Sequence, residues 1–200
     1  MEIQELFTDF VLKDENENLA VELQPVCKSL MRSVGKVARY PNGWSSYFAD
    51  DEKVRDFRQW ESPIWDKFFD FVLKNVNEYI KHIKIGDYTN PVLTDCWVSV
   101  MDEHGGHETH QHGQSDLSGN FYVDAPMLAA PIHFQRPDMQ LSPWAYKSHT
   151  RANKFLAQEI ELRTRTGVLY LWNSTMRHGV RNNQYKGRTA VSFNVDLKKC

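Results

Sequence analysis

The chain is short of everything that would place it in a special class. Three of its 200 residues are cysteine (Cys27, Cys96 and Cys200), far apart and without a CxxC pair. That argues against a disulfide framework and against a thiolate zinc knuckle. Neither sign of charge dominates: 24 Lys and Arg stand against 26 Asp and Glu. A partner held by phosphate neutralisation, such as a nucleic acid, is therefore disfavoured. No run of 18 apolar residues occurs, so no membrane-spanning helix is expected. The opening "MEIQELFTDF" has neither a basic nor an apolar signal segment, and the expectation is a soluble, cytoplasmic protein. No repeat of 20–50 residues and no low-complexity linker divides the chain.

What is present is aromatic and compact in character. Aromatic residues make up 12% of the chain and include six tryptophans, which suits a packed core. The length predicts one domain over residues 1–200, with helical support in 1–90 and a β core in 91–200. Residues 62–83, "SPIWDKFFDFVLKNVNEYIKHI", predict a helix: Ser62 as its cap, Pro63 in its first turn and Gly86 beyond its end. Ile64, Trp65, Phe68, Val72, Val76, Tyr79 and Ile83 make its apolar stripe. A weaker helix is expected over 17–33, kinked or broken at Pro25. Strands are expected at 94–101, 117–124, 131–137, 155–162, 167–173 and 188–197, where β-branched and aromatic runs alternate with turn residues. Six short strands point to a sandwich or barrel.

Four of the eight histidines fall within "HGGHETHQHG", residues 104–113. His110 and His112 are two apart, so an extended backbone turns both imidazoles to one side. An HExxH helix is excluded, because the second histidine after His107 and Glu108 comes at His110, one residue early. Late in the chain, His178 ends one strand-like run and Arg188 opens the next. Two histidines on one strand and a third on another can build a facial metal site in a barrel. An arginine ten residues past the third is placed to hold a carboxylate bidentately.

This pattern resembles the iron(II)- and 2-oxoglutarate-dependent oxygenases, with a His-x-Asp/Glu pair, a distant His, and an Arg or Lys some ten residues on. More narrowly, "CWVSVMDEHGGHETHQHGQSDLSGNFYV" and "HGVRNNQYKGRTAVSFN" are similar to a family with H-x-H, Ser-Gly-x-x-Tyr and a final H…R…S-F-N. The resemblance implies a double-stranded β-helix (a jelly roll, cupin-like), mainly β with amino-terminal helices. It implies Fe(II) on His110, His112 and His178, and 2-oxoglutarate and O2 as cosubstrates. Arg188 would take the distal carboxylate of 2-oxoglutarate, with Ser192 and Ser99 beside it. The implied reaction hydroxylates a substrate while 2-oxoglutarate becomes succinate and CO2.

This chain departs from the pattern in places. His112 stands where most such oxygenases have a carboxylate, and His107 or Asp116 could serve as the third ligand instead. Ser99 stands where the family often has Asn, and Ala190 where many relatives have Ser. A cupin-like metal-binding protein and a three-His dioxygenase independent of 2-oxoglutarate are the alternatives, and Arg188 is the discriminator: a 2-oxoglutarate oxygenase needs it for the cosubstrate carboxylate, and the others do not. His104, His82, His133 and His149 are expected to be bystanders, and His107 to support the ligands. Tyr122, Trp97 and Trp172 are expected in the core. Segment 138–153 is the expected substrate contact, by loop position. The substrate class (protein side chain, nucleotide or metabolite) is not encoded in any motif.

Overall fold

A computed structural model describes residues 9–34, 42–136 and 157–199. Two antiparallel sheets face each other, and helices cover the outer side of the larger one. Its strand order is β1-β8-β5-β10-β3-β2, formed by β1 (Val11–Glu15), β8 (Val168–Asn173), β5 (Leu117–Asp124), β10 (Arg188–Lys198), β3 (Asn90–Met101) and β2 (Gly43–Ser45). The smaller sheet runs β4-β9-β6-β7, formed by β4 (His107–His110), β9 (Arg177–Val180), β6 (Ile132–Gln135) and β7 (Glu159–Leu162). This is the jelly-roll arrangement implied by the sequence resemblance.

The period of two in the central strands decides what lies on each face. Val191, Phe193 and Val195 of β10, with Phe121, Leu169, Leu171 and Val98, turn outward into the helices. Tyr122, Tyr170, Trp172 and Ala190 turn inward toward Ile132 and Phe134 of the small sheet. Helix α3 (Pro63–Ile83) covers the outer face with Phe68, Val72 and Val76, all fully buried. Each such side chain contributes about 1.5–3 kcal/mol by leaving water. The helix spans nearly the predicted range, with Pro63 in its first turn, and it ends at Lys84 in the left-handed conformation (φ 53°). Ser62 occupies the cap position, but its hydroxyl makes no capping bond.

Helix α1 (Glu17–Arg32) overturns one expectation, because it runs unbroken through Pro25. Pro25 and Val21, one turn earlier, are both exposed. The hydrogen bond that proline cannot donate is therefore missing on the wet face, where water can replace it. Asn16 caps the helix by accepting the Leu19 N–H at 3.0 Å. The sequence pattern does not reveal β1, β2 or β9, which have five, three and four residues; runs that short carry too few alternations. Two of them, β1 and β2, are the edge strands of the large sheet, so the amino-terminal stretch supplies strands as well as helices. The expected strand at 155–162 is described only from residue 157 and pairs from Glu159. Among the described residues, no helix is long and apolar enough to cross a membrane.

Candidate active site

β4 and β9 are hydrogen-bonded neighbours with His110 directly opposite His178. Between His107 and His110 the register slips, so three steps on β4 match two on β9. That bulge turns His107 and His110 to the same side, where regular alternation would oppose them. Their rings lie 4.0 Å apart between centroids. His112 follows immediately after β4, and its Nε2 lies 3.1 Å from the Nε2 of His110. One ligand nitrogen from each of His110, His112 and His178 falls within 4.8 Å of the others.

The opposite nitrogen of each ring is tied to an oxygen. His110 Nδ1 meets the Glu108 carbonyl at 2.8 Å, His178 Nδ1 the Met176 carbonyl at 2.9 Å, and His112 Nδ1 the Asn194 Oδ1 at 2.8 Å. A carbonyl only accepts, so each Nδ1 must carry the proton and each Nε2 a bare lone pair. The 3.1 Å contact between two bare lone pairs is therefore no hydrogen bond, and it is repulsive without a cation between them. Two imidazole nitrogens about 2.1 Å from one divalent ion, at right angles, lie about 3.0 Å apart. The His110–His112 spacing thus fits a shared transition metal, with a His178 nitrogen within 4.8 Å of both, and the outer nitrogens of all three are held as metal-binding histidines usually are.

Burial keeps the rings neutral. It pushes His178 down to about 3, with His110 and His112 adding to the effect and the Met176 carbonyl opposing it. His107 is likewise pushed to about 3 by burial, then by its histidine neighbours and Arg188. His110 and His112 are lowered by burial against the pull of their hydrogen bonds. Neutral imidazole is the form that binds metal.

Arg188, at the start of β10, lines the same pocket and is 4% exposed. Its guanidinium lies over the Tyr122 ring, 5.0 Å from the centroid. The Tyr122 hydroxyl makes no hydrogen bond of ordinary geometry among the described residues, although its closeness to the guanidinium raises the arginine's pKa against the effect of burial. Arg188 Nε and Nη2 make none either. Burial lowers its pKa, yet a guanidinium stays charged. A buried, half-unpaired cation costs several kcal/mol unless an anion meets it.

Ser99, Ser192 and Ala190 line the pocket with it. Ser99 Oγ is 3.5 Å from the Ala190 carbonyl, at the outer limit of a hydrogen bond. Asp116 is held elsewhere, its carboxylate accepting the Leu197 N–H at 2.7 Å. His133 is a satisfied core residue, 2% exposed, with its Nε2 2.8 Å from Thr109 Oγ1. His104 sits on an exposed turn with φ 61°, and His82 packs edge-on against Phe10. His149 and segment 138–153 lie outside the described residues.

Trp97 corrects an expectation: it is in the pocket wall, stacked on His112 at 5.8 Å, because odd positions of β3 face inward. Trp172 and Tyr122 are core residues, as expected, and also border the site; Trp172 packs edge-on against His178 at 4.8 Å. Sequence reasoning assigned no role to Asn194, although it shares a strand face with Arg188 and Ser192. That period-two spacing was the available signal.

A family model described as "Putative 2OG-Fe(II) oxygenase" matches residues 95–194. No curated protein matches the chain. Among solved structures, a Pseudomonas putida prolyl-4-hydroxylase is 10% identical over 96% of this chain and 95% of its own, with TM-score 0.62. HygX from Streptomyces hygroscopicus, with nickel and 2-oxoglutarate bound, is 10% identical over 94% and 83%, with TM-score 0.58. The epimerase SnoN, in complex with Fe3+, alpha ketoglutarate and nogalamycin RO, is 12% identical over 94% and 79%, with TM-score 0.63. At such identities these three share a fold with the chain, while the family match spans half its length and includes all three histidines and Arg188. The chain belongs to the 2OG-Fe(II) oxygenase family and is an enzyme that works with Fe(II) and 2-oxoglutarate.

Proposed function

We propose that His110, His112 and His178 hold Fe(II) through Nε2, and that Arg188 receives the distal carboxylate of 2-oxoglutarate. The enzyme then hydroxylates a C–H bond of its primary substrate as 2-oxoglutarate is converted to succinate and CO2. The supporting observation is the buried Arg188, with two guanidinium nitrogens unpartnered among the described residues, in the pocket the three histidines line. Bound Fe(II) and 2-oxoglutarate supply the activation of O2.

The chain's own residues do the rest. Arg188 presents a planar fork that fits a carboxylate with two parallel N–H···O bonds, fixing the long axis of the keto acid. Ser192, four residues along the same strand face, and Ser99, on the neighbouring strand, offer hydroxyls to the same ligand. Trp172, Ile132 and Tyr122 close the inner side with apolar surface and keep water from the cosubstrate. Three neutral imidazoles leave a divalent ion with its full charge, which a 2-oxoglutarate dianion balances; a carboxylate in place of His112 would leave an excess negative charge.

The test is turnover of 2-oxoglutarate alone. With Fe(II) and O2 but no primary substrate, wild-type protein should form succinate slowly. Arg188→Ala should lower kcat/KM for 2-oxoglutarate roughly 100-fold, the loss of two charge-assisted hydrogen bonds. Arg188→Lys should recover only part, because an ammonium lacks the fork. Equal succinate formation by Arg188→Ala would refute the assignment.

A further inference from the structure

His112 is set by a hydrogen-bonded row that runs across three adjacent strands. Asn194 of β10 lies directly opposite Asp95 of β3 on one side and Ser118 of β5 on the other. Its Oδ1 accepts from His112 Nδ1 at 2.8 Å and from the Ser118 hydroxyl at 2.8 Å. The Ser174 hydroxyl is 2.8 Å from Ser118 Oγ, and since Ser118 has spent its one proton on Asn194, Ser174 is the donor. Asn194 Nδ2 points to Asp95 Oδ2 at 3.4 Å. Ser118, Asn194 and Ser174 are all buried.

The row has a direction, and Asp95 biases it. An amide can present either its oxygen or its nitrogen to a neighbour, and an imidazole can carry its proton on either nitrogen. An ionised carboxylate only accepts. The amide nitrogen of Asn194 is thereby favoured toward Asp95, which leaves the oxygen for His112, which places the proton on Nδ1 and the lone pair on Nε2. Reversing the amide would set its oxygen against the Asp95 carboxylate, while the Ser118 and Ser174 hydroxyls could turn to suit either orientation. The Asp95 contact is long, so it biases the amide weakly, while Asn194 bonds His112 at ordinary length.

We propose that Asn194 is a positioning residue that holds His112 in its metal-binding tautomer, with Asp95 orienting the Asn194 amide from behind. The carboxylate that the usual His-x-Asp/Glu pair would offer the metal directly is replaced here by one placed two hydrogen bonds away. This rests on the reading of His112 as a metal ligand.

The experiment reads the tautomer and the metal separately. Nitrogen-15 NMR of the metal-free protein should show His112 protonated on Nδ1, and anaerobic Co(II) titration should give the affinity of the three-histidine site. Asn194→Leu should mix the tautomers and weaken Co(II) binding roughly 10–100-fold. Asp95→Leu should have a smaller effect in the same direction. The exchanged pair D95N/N194D keeps an acceptor toward His112 and a donor behind it, and should restore binding to within a few-fold of wild type. The proposal is overturned if Asn194→Leu keeps both tautomer and affinity, or if the exchanged pair folds but binds no better than Asn194→Leu. A wild-type protein that takes up no Co(II) overturns the ligand reading itself, and this proposal with it.

Discussion

His110 and His178 are direct cross-strand partners, with ring centroids 4.4 Å apart. The backbone ladder between β4 and β9, rather than a loop, sets their separation. Their geometry is therefore as stiff as the sheet that carries them, which is what a metal site needs from its scaffold.

Gly179 shows how close that ladder is packed. A Cβ there would come within 2.8 Å of the His107 carbonyl and 2.8 Å of His133 Cε1. Gly179→Ala should push β4 from β9 and cost about 1–3 kcal/mol. It should also weaken metal binding, because His110 rides on the displaced strand. Thermal unfolding and Co(II) titration of the same variant check both; unchanged values for each would contradict this packing.

The histidines should divide sharply in a metal titration. His110→Ala, His112→Ala and His178→Ala should each abolish tight binding. His104→Ala and His82→Ala, on exposed positions, should leave it at the wild-type level. Any of the first three binding as wild type would remove that residue from the ligand set.

Acid should destabilise the metal-free protein in a defined window. His178 is pushed to about 3 in the folded chain, chiefly by burial, against an ordinary value near 6.5. Between those values the unfolded chain binds a proton that the native one refuses, so stability falls as pH drops from about 6.5 toward 3. For His178 the effect is on the order of a few kcal/mol. The melting temperature of metal-free protein should fall from pH 7 to pH 5, and His178→Gln should flatten the slope. A flat wild-type profile would contradict the assignment.

Much of the site could be read before the fold was known, and the reasons are physical. The His110–His112 spacing and the offset from His178 to Arg188 are local, and period two in β10 puts Arg188 and Ser192 on one face. Strands β5 and β10 were readable because eight or more residues of β-branched and aromatic pattern leave little ambiguity. The bulge that brings His107 beside His110 was not readable, since it depends on pairing with β9, itself four residues long. Trp97 looked like core because an aromatic strand residue usually is; only the pairing of β3 with β10 shows which face it takes. That the helix over 17–33 continues unbroken through Pro25 was not readable, because the penalty depends on whether water reaches the orphaned carbonyl, a tertiary fact.

Asn183 is another residue that only the fold reveals. Fully buried, it accepts the Ala130 N–H at 3.1 Å and donates to the Met101 and Asp102 carbonyls at 3.1 and 3.0 Å. It ties the loop before Arg188 to the end of β3 and to the segment preceding β6. Asn183→Ala would orphan these groups, at about 1–3 kcal/mol for each one left buried. A denaturant midpoint well below wild type is expected, and a midpoint equal to it would show that water fills the gap.

The central claim is that three histidines and Arg188 form one site for Fe(II) and 2-oxoglutarate. The most direct measurement is anaerobic absorption: Fe(II) is added to metal-free protein, then 2-oxoglutarate, and the visible charge-transfer band of a chelated keto acid is sought. Wild-type protein should show the band, His112→Ala should show none, and Arg188→Ala should need far more 2-oxoglutarate to reach it. Fe(II) binding to wild-type protein with no band at saturating 2-oxoglutarate would contradict the account.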